Sequence, residues 1–226
     1  MQNKRPTLRT VYGIIIVLSL VGIAIVVRRS IKIIPVLMNG YSAPAPQSNA
    51  NLQELAKMDD IFAHYPLLTL IHIVFGLTFL LLAPFQFSEK IRKNNLSFHR
   101  ASGKIIFISG CVTGITAFAM SISMPSIGGI NQAAATLLFS IFFLIALMKG
   151  YQNIRKKNII LHREWMIRAY AIGLAIATIR PIVGVFFATS TFSKLTPHEF
   201  FGTAFWIGFV LHLIVAEMWI YRTRTA

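Results

Sequence analysis

The sequence has one cysteine, seven acidic side chains and few charges of any kind, and each scarcity removes a class of protein. A single thiol, Cys111, allows no intramolecular disulfide and no cysteine-based metal cluster, and its place inside an apolar run reads as a small buried hydrophobe. Only 13% of the 226 residues are charged, too few to cover an ordinary soluble domain. The 22 Lys and Arg leave a net charge of +15, but they lie between apolar runs and not on one basic face, so nucleic acid is not the expected partner. No Walker loop, dinucleotide fingerprint, HExxH zinc pair or nucleophile elbow is present, which leaves the common soluble enzyme classes without support.

What the chain does hold is apolar sequence in long stretches, 55% of it hydrophobic. A hydrocarbon core about 30 Å thick is crossed by about 20 helical residues. Spans are expected near 11–27, 61–86, 99–123, 131–149, 163–187 and 200–221, which predicts an all-α integral membrane bundle of about six helices in the lipid bilayer. Arg28 and Arg29 follow the first run where a small-residue cleavage site would begin, so that run reads as an uncleaved anchor. Sixteen Lys and Arg flank the two ends of the chain and the second and fourth loops. Five (Arg28, Arg29, Lys32, Lys57 and Lys194) fall on the other side, and Arg180 lies within a span. The asymmetry predicts both termini in the cytoplasm, with Arg28, Arg29 and Lys32 as a local violation. Residues 1–60 read as the anchor plus an outer loop, an extended or mobile connection over about Ser30 to Asp60 containing Pro35 and Gly40, and 61–226 as a five-helix membrane domain. Pro125, Gly128 and Gly129 predict a tight turn between the third and fourth spans.

An internal repeat organises that domain. The segment Ile91-Arg92-Lys93-Asn94-Asn95-Leu96-Ser97-Phe98-His99-Arg100 matches Ile154-Arg155-Lys156-Lys157-Asn158-Ile159-Ile160-Leu161-His162-Arg163, and Gly110 and Gly173 keep the same offset. Two tandem hairpins, about 61–123 and 131–187, would then form a four-helix core, followed by a final helix.

The histidines and arginines supply the candidate chemistry. His99 and His162 begin helices beside Arg100 and Arg163, where helix N-termini favour anions such as lipid headgroups, and equal depth would let the imidazoles face one another across a metal or haem iron. His72 and His212 lie well inside apolar spans, where ionisable groups are costly; they fit either a bis-imidazole b-type haem site or hydrogen bonds to neighbouring helices. Arg168 and Glu217 fit a buried ion pair, and Arg180, followed by Pro181, fits an acid group such as a haem propionate. His64 and His198, beside Pro66 and Pro197, read as surface residues.

Ala83-Pro84-Phe85-Gln86-Phe87, His99-Arg100 with Gly103, His162-Arg163-Glu164-Trp165-Met166-Ile167-Arg168-Ala169-Tyr170-Ala171 and Ile179-Arg180 together resemble a bacterial family of multi-pass membrane proteins, the domain of unknown function 2306. The resemblance covers most of residues 65 to 220. It implies a helical membrane fold in the bacterial cytoplasmic membrane and a shared site at His99, Arg100, His162, Arg163, Arg168 and Arg180, and supplies no reaction. Ala101-Ser102 stands after the first His-Arg where the family pattern implies a bulky residue, so a looser pocket is expected around His99.

Three functions follow as expectations. The first is a haem-linked redox protein with ligands among His72, His99, His162 and His212, and Arg180 on the cofactor. The second is a transporter or binding protein for an anionic lipid or small metabolite, held by Arg100, Arg163 and Arg168. The third is an accessory subunit whose polar residues only pack helices, for which the sequence names no protein partner.

Overall fold

The asparagines of the repeated segments each start a helix. Asn95 Oδ1 accepts from Phe98 N at 3.0 Å and Asn158 Oδ1 from Leu161 N at 3.2 Å, so each side chain satisfies an N–H that the first helical turn leaves unpaired. In the computed structural model, which describes residues 4–43 and 50–224, the helices are α1 (Lys4–Asn39), α2 (Ala50–Ala63), α3 (Pro66–Gln86), α4 (Glu89–Asn94), α5 (Leu96–Ser123), α6 (Gly129–Arg155), α7 (Ile159–Ser193) and α8 (Pro197–Arg224). Six of them, all but α2 and α4, contain segments long and apolar enough to cross a membrane, and the expected all-α membrane bundle is what forms.

The helices run up and down: α3 packs on α5, α5 on α6, α6 on α7, and α7 also meets α3. Helix α8 lies in the groove of α6 and α7, burying Phe200, Phe201, Ala204, Phe205 and Phe209 in the shared core. Helix α1 packs on α3 and α7. The end carrying α4, Asn95, Asn158 and Arg224 is called the basic end below, and the end carrying α2 the opposite end.

Lipid tails are as apolar as leucine, so close packing must hold these helices together. The centre is the Phe79 ring, 2% exposed, edge-on to Phe143 at 5.3 Å. The repeated glycines flank it: a Cβ on Gly110 would lie 3.2 Å from Phe79 and 2.7 Å from Leu147, and one on Gly173 would lie 2.8 Å from Phe79. Gly110→Val is expected to destabilise the fold by about 1–3 kcal/mol through overpacking. The measurement is the thermal midpoint in detergent, and Leu147→Ala added to Gly110→Val should recover part of the loss; no recovery would place the strain elsewhere.

The turn at Pro125 to Gly129 forms as expected, with Gly129 at φ 55° and Gly128 so close to α8 that a Cβ would sit 2.5 Å from Gly202 N. The expectation of an extended connection over 30–60 is corrected. Helix α1 continues through Pro35 to Asn39, because Ile31, Ile33, Ile34, Val36, Leu37 and Met38 resume the apolar run beyond the arginines, and residues 50–63 form α2. Pro44 and Pro46 lie outside the described residues. The second span begins at Pro66, after a break at His64 and Tyr65.

Candidate functional site

At the basic end, α7 and α8 are laced by charge. Arg168 makes a bidentate pair with Glu217 (2.6 and 2.9 Å) and stacks over Trp165 at 4.7 Å. Arg224 clamps the buried Glu164 through two 2.7 Å bonds, and Arg163 Nη2 donates to Thr223 Oγ1 at 2.8 Å. The Arg168–Glu217 pairing was legible from depth, but the pair is not buried as expected, since Glu217 is half exposed; it engages the guanidinium that was also a candidate anion ligand. The Glu164–Arg224 pair was not anticipated.

Close by, His162 Nδ1 contacts the Gly150 carbonyl of α6 at 2.8 Å, whereas His99 Nδ1 is buried without a hydrogen bond. His162, Arg92 and Arg100 are the charged neighbours of His99, and Arg100 is exposed. The two repeated histidines therefore share one end of the bundle. The place of a bulky residue after the first His-Arg is taken by Ser102, 3% exposed, which accepts from Gln86 Nε2 at 2.7 Å.

The two intramembrane histidines each bond a threonine on a neighbouring helix: His72 Nδ1 meets Thr116 Oγ1 of α5 at 2.9 Å, and His212 Nε2 meets Thr178 Oγ1 of α7 at 2.7 Å. Their rings turn to different helices, and His72 borders a void.

That void, a cavity of about 270 Å³, lies among α1, α2, α3, α5, α6, α7 and α8. Its walls are mainly apolar, with Met58, Phe62, Phe79, Phe139, Phe143 and Met120 among them, and Arg29, His72 and Arg180 are its titratable side chains. The lining donors of Thr113, Thr136 and Ser140 are engaged by the carbonyls of Ser109, Gln132 and Leu137. Arg29 is also satisfied: Nη1 donates to Asp59 at 2.7 Å and the guanidinium stacks over Phe62 at 4.0 Å. Arg28 (3.1 Å) and Lys32 (3.6 Å) converge on the same Asp59 carboxylate. The cations that violated the charge asymmetry are thus the socket for α2. Beside them the Tyr41 hydroxyl donates to Asp60, which raises the phenol above its ordinary value.

Arg180 is the exception. Its Nε–H is buried with no hydrogen bond, no ion pair reaches it among the described residues, and its electrostatic neighbours are the cations Arg28 and Arg29. It lies on α7 roughly 32 Å along the helix from Ile159, facing the cavity. Sequence reasoning singled out Arg180 and His72 but missed Arg29, Asp59 and the void between them. The available signal was charge complementarity, since Asp59 and Asp60 stand near the one off-pattern group of cations.

Because Asp59 joins three cations of α1 to α2, Asp59→Asn is expected to free α2 from α1. Limited proteolysis should then cut within 50–63 at least tenfold faster while the membrane core stays resistant. An unchanged cleavage rate would mean that packing alone holds α2.

Among the described residues no three His, Cys, Asp or Glu side chains converge as a metal site. Neither a curated protein nor a solved structure matches the chain. The family model described as "Predicted membrane protein (DUF2306)" matches residues 69–220, two thirds of the sequence and all of α5, α6 and α7, so the chain belongs to that family.

Proposed function

We propose that this protein binds a small organic anion in the cavity beside Arg180, as a membrane carrier or binding protein. The observation that carries this is the unpaired guanidinium. An arginine inside a membrane bundle normally has a partner, because an isolated charge there costs several kcal/mol. Arg180 has a cavity in place of one. An anion entering the void would supply the missing countercharge and bring no unmatched charge of its own. By the charge asymmetry of the loops, the cavity belongs to the outer half of the membrane, open to ligand from outside the cell. The arginines and histidines of the basic end then face the cytoplasm and anionic headgroups.

The test is a thermal-shift titration of the purified protein with matched carboxylate, amide and amine compounds. The carboxylate alone should raise the thermal midpoint, and Arg180→Gln should remove the rise. Equal effects of the acid and its amide would dismiss the charge-based reading.

A haem held between paired histidines is the second reading. What favours it is the shared position of His99 and His162 and the unsatisfied Nδ1 of His99. An oxidised-minus-reduced absorbance spectrum decides it: a b-type signal lost in His99→Ala and His162→Ala would replace the first reading with this one.

A further inference from the structure

Resting on the anion-binding reading above, we infer that the ligand of the Arg180 cavity is an amphipathic monocarboxylate with a compact apolar body of about eleven non-hydrogen atoms in total. Charge sets the head group. One guanidinium, that of Arg180, faces the void without an acceptor, while Arg29 already donates to Asp59, so Arg180 is the cation left to receive a head group. A planar carboxylate matches the guanidinium fork, bidentate and in one plane.

The walls set the body. Around the rest of the void the hydroxyl donors of Thr113, Thr136 and Ser140 are engaged with backbone carbonyls, and the Gln132 side-chain oxygen accepts from Gly128 N. What remains is mainly apolar surface of Phe, Met, Ile and Leu, with His72, Ser126 and the Gln132 amide nitrogen as the further polar groups. A polar chain would find few hydrogen-bonding groups there to replace water, whereas an alkyl or aryl group gains burial. The volume sets the size. An apolar cavity of 150 Å³ accepts benzene, so 270 Å³ holds roughly eleven heavy atoms. A diacyl lipid is several times too large. Gly76 of α3 limits the depth: it lines the void, and a Cβ there would meet Thr113 at 3.6 Å, an ordinary contact. Gly76→Ala therefore keeps the fold and takes space from the ligand.

The experiment is a binding series of straight-chain carboxylates from acetate to palmitate on the full chain in nanodiscs. Each acid is compared with its neutral amide to subtract partition into lipid, and inorganic phosphate and phosphatidylglycerol nanodiscs are included. Affinity should rise about fourfold per methylene from butanoate to about nonanoate and fall by dodecanoate, and Gly76→Ala should move the optimum one or two methylenes shorter. If acetate or phosphate binds as tightly as nonanoate, the site takes small anions, and the size inference fails while anion binding stands. Tighter binding of palmitate, or of the phospholipid, overturns it in favour of a lipid site. If no carboxylate binds a protein that still unfolds cooperatively, the anion-binding reading itself falls.

Discussion

Arg180→Met is expected to raise the thermal midpoint of the unliganded protein while lowering its affinity for an organic anion by about a hundredfold or more. Most substitutions of buried residues do the opposite to stability. Here the wild-type side chain is a cation whose Nε–H has no acceptor and whose charged neighbours are Arg28 and Arg29. Replacing it by an unbranched apolar side chain removes that repulsion and the desolvation cost, with an expected gain of about 1–4 kcal/mol. Stability and binding moving in opposite directions is the signature of a residue retained for a ligand. A fall in midpoint would show that Arg180 supports the fold through contacts of its own, for instance through water, and would remove the main argument for a site.

The second large effect is expected at Arg168. With its two bonds to Glu217 removed, Arg168→Met leaves a carboxylate about 10 Å inside the last helix, and the fold should lose about 2–3 kcal/mol. Adding Glu217→Met should restore most of that loss, since removing both partners leaves neither charge behind. Binding of an anion in the Arg180 cavity should be unchanged in both variants. If Arg168→Met instead left stability intact and weakened anion binding, Arg168 would be a ligand-binding residue and Glu217 only its resting partner.

The sequence made the membrane spans visible because length and hydropathy are local properties, and six helices lie where the apolar runs predict. The helix starts were equally local: Asn95 and Asn158 cap the turns that carry His99 and His162. Arg168 and Glu217 could be paired because two adjacent helices of known direction fix relative depth. What could not be read was lateral arrangement. Nothing in the spacing places Asp59 on Arg29, Arg224 on Glu164 or His72 on Thr116, since each pair joins helices whose rotation is set by packing. The extended reading of 30–60 failed for a related reason. Pro35, Gly40 and the Asn and Gln residues that follow suggested a loop, whereas the helix continues through Pro35 and its three cations take their countercharge from α2. The cavity is further from the sequence again, because an absence of atoms among seven helices has no local signature.

Equilibrium dialysis of radiolabelled octanoate against the purified wild-type protein and Arg180→Gln tests the central claim most directly. Saturable binding near one molecule per chain, displaced by unlabelled octanoate but not octanamide, and lost in Arg180→Gln, is the predicted result. Equal, non-saturating uptake by both proteins would contradict it and leave Arg180 without a ligand role.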